Sequence, residues 1–214
     1  MEYPLWQPDL PFKAFQLQAY RSFPEQAVNW DWISDIIRKA GRPLKVLNLF
    51  AYTGGATLAA ARAGAAVTHV DASKGMVTWA KENASASGLL DAPIRYLVDD
   101  CVKFVEREIR RGNTYDGIIM DPPSYGRGPK GEIWKMEDNI YSFIELSASL
   151  LSKDAEFFLI NSYTTGLQPA VLSYMLNTVI ASKKGGQVSA SEIGLPVREN
   201  GLILPCGASG RWTS

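Results

Sequence analysis

The residues able to do chemistry in this chain sit at the ends of apolar runs. Lys45-Val46-Leu47-Asn48-Leu49-Phe50 leads through Ala51-Tyr52-Thr53-Gly54-Gly55 into the small-residue stretch Ala56-Thr57-Leu58. Glycine at such a turn lets main-chain N–H groups approach a ligand closely, and a following helix directs its positive end at a carboxylate or phosphate. Later apolar runs end in acids. Asp71 closes Ala66-Val67-Thr68-His69-Val70, where its carboxylate can accept from both hydroxyls of a ribose or can cap the next helix in competition with Ser73. Asp99-Asp100-Cys101 closes the third run; Asp100 can accept from an exocyclic adenine amine while the Cys101 N–H donates to a ring nitrogen, or an aspartate there can serve as a helix cap. Ile118-Ile119-Met120 ends in Asp121-Pro122-Pro123-Ser124-Tyr125. Two prolines fix the backbone and free carbonyls from ladder duty, which suits recognition of an amine or base edge, although Pro-Pro also simply stops a strand.

The elements that must position these residues alternate. Strands are predicted at about 45–50, 66–70, 94–98, 116–120 and 155–161, with helices at about 56–64, 74–87, 101–111, 137–151 and 168–182. Pro24 opens a helix through Lys39, stopped by Gly41-Arg42-Pro43, with Trp30 and Trp32 read as core packing. Two closing strands, about 186–193 and 201–205, flank an Arg198-Glu199-Asn200-Gly201 turn. The expected fold is α/β and Rossmann-like: a doubly wound, mostly parallel seven-stranded sheet with right-handed crossovers and a C-terminal antiparallel hairpin. Residues 1–22 read as an N-terminal arm and 23–214 as one domain. Ligands of such sheets bind where strand order reverses, so all of these strand ends are expected around one crevice.

Composition narrows the function classes. The 214 residues are 46% hydrophobic and 21% charged, enough for one α/β core, with a formal net charge of zero and hence no global basic field for nucleic acid. Cys101 and Cys206 match no zinc or redox spacing, and His69 is the single histidine, which argues against a His-based metal site or a Ser-His triad. No signal segment or membrane-length run is evident, so a cytoplasmic protein with no metal and no membrane partner is expected; the oligomeric state is left open. GxGxxG and GxxxxGK[ST] are both absent, which disfavours dinucleotide dehydrogenases and P-loop NTPases and leaves an adenosyl ligand with an amino-acid tail as the better fit. Gly126-Arg127-Gly128-Pro129-Lys130-Gly131 reads as a locally basic loop, part of a flexible lid at 124–136.

From about Phe23 to the C-terminus the sequence resembles class I S-adenosylmethionine-dependent methyltransferases, in particular the bacterial 23S ribosomal RNA large-subunit group that includes the cytosine-C5 enzymes. Phe23-Pro24-Glu25-Gln26, Asn48-Leu49-Phe50-Ala51-Tyr52-Thr53-Gly54-Gly55, Val70-Asp71-Ala72-Ser73, Asp99-Asp100 and Asp121-Pro122-Pro123-Ser124-Tyr125 carry the likeness. It implies S-adenosylmethionine as cofactor and S-adenosylhomocysteine as product. The Gly54-Gly55 turn would then meet the methionine part, Asp71 the ribose, and Asp100 and Cys101 the adenine, with Asn48, Ala51, Tyr52, Thr53, Ser73 and Asp121 also in the cofactor-binding set. Asp121, with Pro122 and Tyr125, would face the methyl acceptor.

The likeness also implies an RNA substrate, most naturally ribosomal RNA. Related enzymes often carry an N-terminal RNA-binding domain, which this chain is expected to lack. Cytosine-C5 transfer needs a thiolate that adds to C6. C5 relatives would place that cysteine after the fifth strand, where this chain has Asn161-Ser162-Tyr163-Thr164-Thr165, leaving only Cys206 as a distant substitute. Amine-modifying relatives place an aromatic directly after the prolines, where this chain has Ser124, with Tyr125 either stacking on a base or packing in the core. The expected function is methyl transfer to a nucleobase by direct displacement. Alternatives are an acceptor that is a small molecule or a protein, and a binding module without catalysis.

Overall fold

The computed structural model describes residues 23–127 and 133–214; the arm at 1–22 and the middle of the basic loop, 128–132, lie outside the described residues. Pro24–Gln26 forms a single 3-10 turn, with proline at a position whose N–H would be unpaired anyway, and leads into α1 (Ala27–Lys39). The alternation then runs β1 (Lys45–Leu49), α2 (Gly55–Arg62), β2 (Ala66–Asp71), α3 (Lys74–Ala86), β3 (Ile94–Val98), α4 (Cys101–Arg110) and β4 (Gly117–Met120). Next come a two-stranded ribbon, β5 (Tyr125–Arg127) and β6 (Ile133–Lys135), then α5 (Met136–Ala148), β7 (Phe157–Ser162) and α6 (Pro169–Leu176). Asn177–Ala181 continues α6 as a π-helical segment into α7 (Ser182–Lys184), and β8 (Gln187–Pro196) and β9 (Ile203–Thr213) close the chain.

Seven strands form one sheet in the order β3-β2-β1-β4-β7-β9-β8. The first five are parallel, and β9 runs antiparallel to both β7 and β8. Side chains alternate between faces, so each buried strand feeds two cores. Leu47, Leu49, Val70, Ile118, Met120, Phe158 and Ile160 pack toward α4, α5 and α6. Val46, Val67, Ile119, Phe157 and Leu159 pack toward α1 and α2.

Strand order reverses between β1 and β4, and the register sets the exits level: Leu49 lies opposite both Val70 and Met120, and Met120 opposite Ile160. The segments after β1, β2, β4 and β7 therefore share one rim.

Two expectations need correction. The final strand does not end near residue 205 but continues to Thr213, pairing with the whole of β7. The stretch Gly207-Ala208-Ser209-Gly210 has little intrinsic strand preference; its extended form comes from pairing in the sheet interior, and a Cβ on Gly210 would come within 3.0 Å of Leu172 and Leu176. The 124–136 segment, expected as a flexible lid, is a paired ribbon in its described part, with Tyr125 opposite Lys135 and Arg127 opposite Ile133.

Candidate functional site

The β1–α2 turn is bent into a conformation that side chains rarely adopt. Phe50 and Tyr52 have positive φ, 54° and 48°, and Gly54 follows at 89°. Bulky residues in the left-handed region are outliers that cluster at ligand sites, and the surrounding structure must over-determine them. Here the Phe50 N–H donates to Cys101 Sγ (3.3 Å), Ala51 N–H to the Val70 carbonyl (3.1 Å) and Tyr52 N–H to Asp71 Oδ2 (2.9 Å). Asn83 Nδ2 donates to the Thr53 carbonyl (2.9 Å) from α3. Gly54 stands at the N-cap of α2 without any side-chain cap, so the first-turn N–H groups of this helix have no capping side chain. An uncapped helix start behind a clamped turn fits the carboxylate end of an amino-acid ligand.

This turn forms one wall of a cleft lined by Phe23, Gln26, Trp30 and Asn48, by Phe50 through Ala56, and by Ile119, Asp121, Leu159 and Asn161. Its empty space, counted out to the mouth, is about 520 Å³, within the roughly 300–1,000 Å³ range of small-ligand sites. Asn48, Ala51, Tyr52, Thr53, Gly54, Gly55 and Asp121, all expected at the site, are brought together here. Asn48 is buried and donates from Nδ2 to Thr57 Oγ1 (2.9 Å), which holds the first turn of α2 against β1. Gly54 has no room for a side chain: a Cβ would stand 3.1 Å from Ala80 Cβ, at a φ that side chains avoid. Gly54→Val should therefore weaken S-adenosylmethionine binding by at least about 100-fold, about 2.7 kcal/mol, in calorimetry. An unchanged affinity would detach this turn from the cofactor.

The other expected residues lie along the neighbouring exits and do not line this cleft. Asp71 is the end of β2, and its two oxygens receive the N–H groups of Tyr52 and Ser73 (2.9 and 2.8 Å). The cap of α3 is Ser73, whose hydroxyl accepts from the Met76 N–H, so Asp71 is not used as a helix cap and each oxygen keeps acceptor capacity. Asp100 does cap α4, through Oδ1 and the Lys103 N–H (2.9 Å). Cys101 opens α4 with its thiol buried under the Phe50 amide, and burial pushes that thiol far above its ordinary pKa. Cys206 lies at the β9 bulge opposite Ile193 and Gly194, with Sγ 3.5 Å from the Leu204 carbonyl. Neither cysteine lines the cleft.

At the β4 exit, Asp121 is half-buried and its carboxylate makes no hydrogen bond among the described residues, while loss of solvent and then the negative charge of Glu25 push its pKa up to about 7. The next two carbonyls differ. Pro123 accepts from Trp134 Nε1 (2.7 Å), whereas Pro122 accepts nothing among the described residues. Ser124 is tied down twice, by the Met136 N–H to its carbonyl (3.0 Å) and by Thr164 Oγ1 to its hydroxyl (2.7 Å). Trp134 stacks near Phe50 and Phe143, so the ribbon is rooted in the core. Tyr125 is 51% exposed on the ribbon and is not a core residue.

Sequence reasoning missed Glu25, Gln26, Asn161 and Tyr163. Gln26 and Asn161 line the cleft, Tyr163 donates to Glu25 Oε1 (2.9 Å), and Phe23 packs between the rings of Tyr52 and Tyr163. The available signal was the same strand-end rule: Asn161-Ser162-Tyr163 is the β7 exit. Trp30, read as core, lines the cleft, and a Cβ on Gly55 would lie 2.6 Å from its ring. Among the described residues no group of three or more metal-ligating side chains occurs, and no helix is long and apolar enough to cross a membrane.

Residues 18–145 match the S-adenosylmethionine-dependent methyltransferase family model. Curated relatives include ribosomal RNA large subunit methyltransferases K/L of Shewanella frigidimarina (34% identical over 55% of this chain) and Pseudoalteromonas atlantica (33% over 59%). This chain spans 16% and 18% of the length of those relatives. A solved S-adenosylmethionine-dependent methyltransferase of Agrobacterium tumefaciens is 42% identical, with a TM-score of 0.84 over 90% of this chain and 63% of that one. At 15% identity, the fold alone is shared with magnesium protoporphyrin IX methyltransferase of Synechocystis, solved with bound S-adenosylmethionine (TM-score 0.61, 89% of this chain and 81% of that one). With the family model covering well over half its length, the chain belongs to the S-adenosylmethionine-dependent methyltransferases.

Proposed function

We propose that this methyltransferase acts on a nucleobase, in ribosomal RNA, by direct in-line displacement. The observation that carries the reading is the β4 exit: a carboxylate and a carbonyl, on Asp121 and Pro122, have no hydrogen-bond partner among the described residues and stand next to the clamped glycine turn. The cofactor, when bound, supplies an electrophilic methyl group. The uncapped start of α2 would hold its carboxylate, Asp71 with Ser73 its ribose, and Asp100 with the Cys101 N–H its adenine. Aligning the reacting atoms in a water-poor cleft can account for much of the barrier reduction.

Phe23, Tyr125 and Tyr163, each more than a third exposed, offer faces on which a flipped or single-stranded base can stack. The relatives named as ribosomal RNA methyltransferases support RNA as the bearer of that base. The absence of any cleft-lining thiol among the described residues supports nitrogen over C5 of cytosine, since C5 needs a covalent nucleophile.

Labelled methyl transfer into RNA, protein and small-molecule fractions from a deletion strain, followed by nucleoside mass spectrometry, tests this. Label should enter ribosomal RNA. Label confined to protein or small molecules overturns the reading, as would binding of cofactor with no turnover on any fraction.

A further inference from the structure

Arg211 settles which way three buried amides point. It lies 5.0 Å over the Trp32 ring, can only donate, and reaches Asn29 Oδ1 through Nε and a terminal nitrogen (3.1 and 2.5 Å). The Asn29 oxygen is thereby fixed on the Arg211 side. Its Nδ2, fully buried, faces Gln26 Oε1 (2.7 Å), Ser209 Oγ (2.8 Å) and Asn161 Oδ1 (3.0 Å). Neither Gln26 nor Asn161 can turn its amide over without setting its own NH2 group against that of Asn29.

Lone pairs and protons then account for everything except two donors. Gln26 Oε1 accepts twice, from Asn29 and from Asn161 Nδ2 (3.1 Å), and Asn161 Oδ1 accepts twice, from Asn29 and from Ser209 Oγ (2.6 Å). Gln26 Nε2 gives one proton to the Tyr163 hydroxyl (2.7 Å). Both amide oxygens are full, and each amide keeps one N–H with no partner among the described residues. Gln26 and Asn161 both line the cleft, so what their amides can offer a ligand is donor capacity alone. Gln26 stands one turn before Trp30, whose ring lies against Gly55 at the start of α2, so these donors share the cleft with the uncapped N–H groups of that helix. Such a set suits an anion, because hydrogen bonds to a charged acceptor are stronger than those to a neutral one. The adenosyl cofactor has one anionic group, its carboxylate.

We propose, building on the carboxylate placement above, that Asn29 and Arg211 are positioning residues for the cofactor: they hold Gln26 and Asn161 with the free N–H of each available to the methionine carboxylate. Neither Asn29 nor Arg211 lines the cleft. They act by excluding the turned-over amides, which would set carbonyl oxygens against the carboxylate and repel it.

The test is calorimetry with S-adenosylhomocysteine and with its decarboxylated analogue, which keeps the amine, on the wild type, Asn29→Asp, Arg211→Met and Arg211→Lys, with melting curves recorded alongside. Asn29→Asp keeps the Arg211 contact, as an ion pair, but puts an acceptor where Nδ2 stood and drives both neighbouring amides to turn over. Its affinity for S-adenosylhomocysteine should fall at least about tenfold, while that for the decarboxylated analogue stays within about twofold. Arg211→Met frees the Asn29 amide without reversing it and should lose about threefold on S-adenosylhomocysteine alone; Arg211→Lys, still only a donor, should lose less. If Asn29→Asp does not melt cooperatively, the two Arg211 variants decide by the same difference between ligands. Equal losses on both ligands would mean that the network only shapes the cleft and would overturn the proposal, as would unchanged affinities. A wild type that binds the two ligands equally would overturn the carboxylate placement and this proposal with it, while leaving the nucleobase reading to its own test.

Discussion

Asp121→Ala is expected to slow methyl transfer by about 10²–10⁴-fold and at the same time to raise the melting temperature by several degrees. The rate loss follows from removing the carboxylate proposed above to face the methyl acceptor. The stability gain follows from the same placement. Its pKa, pushed up to about 7 by burial and by Glu25, means the folded protein ionises this acid only at a cost. A shift of about three pKa units would correspond to about 4 kcal/mol for a fully buried group, and screening at its partly open position reduces this to roughly 1–2 kcal/mol. Because the folded pKa lies above the unfolded one, the wild type carries no penalty below about pH 4 and the full penalty above pH 7. The stabilisation by Asp121→Ala should appear across that window in denaturant titrations. Cofactor affinity should stay within about tenfold, about 1.4 kcal/mol. Asp121→Asn, keeping one acceptor oxygen, should fall between the two in rate. A variant that is destabilised at pH 8, or that loses cofactor affinity in step with rate, would place Asp121 elsewhere in the mechanism. Strained or desolvated groups that cost stability are what an active site retains and a structural acid does not.

The parallel half of the sheet was legible because its signals are local. Each strand from Lys45 to Met120 is a short apolar run followed by a glycine or an acid, and each intervening helix has its own periodicity. The wall of the cleft built by the β1–α2 turn was legible for the same reason, as its residues are consecutive in sequence. The wall facing it was legible only at Asp121. Glu25 and Gln26 are separated from Asn161 and Tyr163 by more than 130 positions and meet them only because the entry to α1 packs across β7 and β9. No spacing rule relates them. The Gly207-to-Thr213 part of β9 was invisible for a different reason. Its small residues prefer no structure and become a strand by pairing with β7, where Asn161 faces Ser209 and Leu159 faces Arg211. That pairing delivers Arg211 to Asn29 Oδ1, so missing the strand also meant missing this contact. The 124–136 segment looks like a loop by composition, and its ribbon form depends on the long-range Trp134–Pro123 and Thr164–Ser124 bonds.

Acidification should unfold this protein through its single histidine. His69 is fully buried on β2, with Nδ1 2.9 Å from Thr57 Oγ1. Thr57 Oγ1 also receives Asn48 Nδ2, so the threonine hydroxyl links Asn48 to the ring, by donating to Nδ1 in one neutral tautomer or by accepting from Nδ1–H in the other. Nε2 itself meets no partner among the described residues, and the nearby Tyr96 ring offers no charge to compensate a cation. Burial accordingly lowers the pKa to about 4. Since the folded pKa lies below the unfolded one, near 6.5, the stability contribution of the neutral ring is complete above pH 6.5 and is lost as pH falls toward 4, by roughly 3 kcal/mol in all. Against a total of about 5–15 kcal/mol that is a large fraction. His69→Asn keeps an acceptor where Nδ1 stood and cannot titrate. Whatever fixed cost its smaller volume brings, its stability should decline less between pH 7 and pH 4 than that of the wild type, by about 2–3 kcal/mol in parallel denaturant titrations. Equal declines would mean that the ring gains a proton-accepting partner on acidification. Because the Asn48–Thr57–His69 chain ties β1 and β2 to the first turn of α2, the cofactor cradle should be lost in the same transition. Cofactor affinity measured just above the unfolding pH should still be close to its neutral value, since the chain stays intact until His69 is protonated.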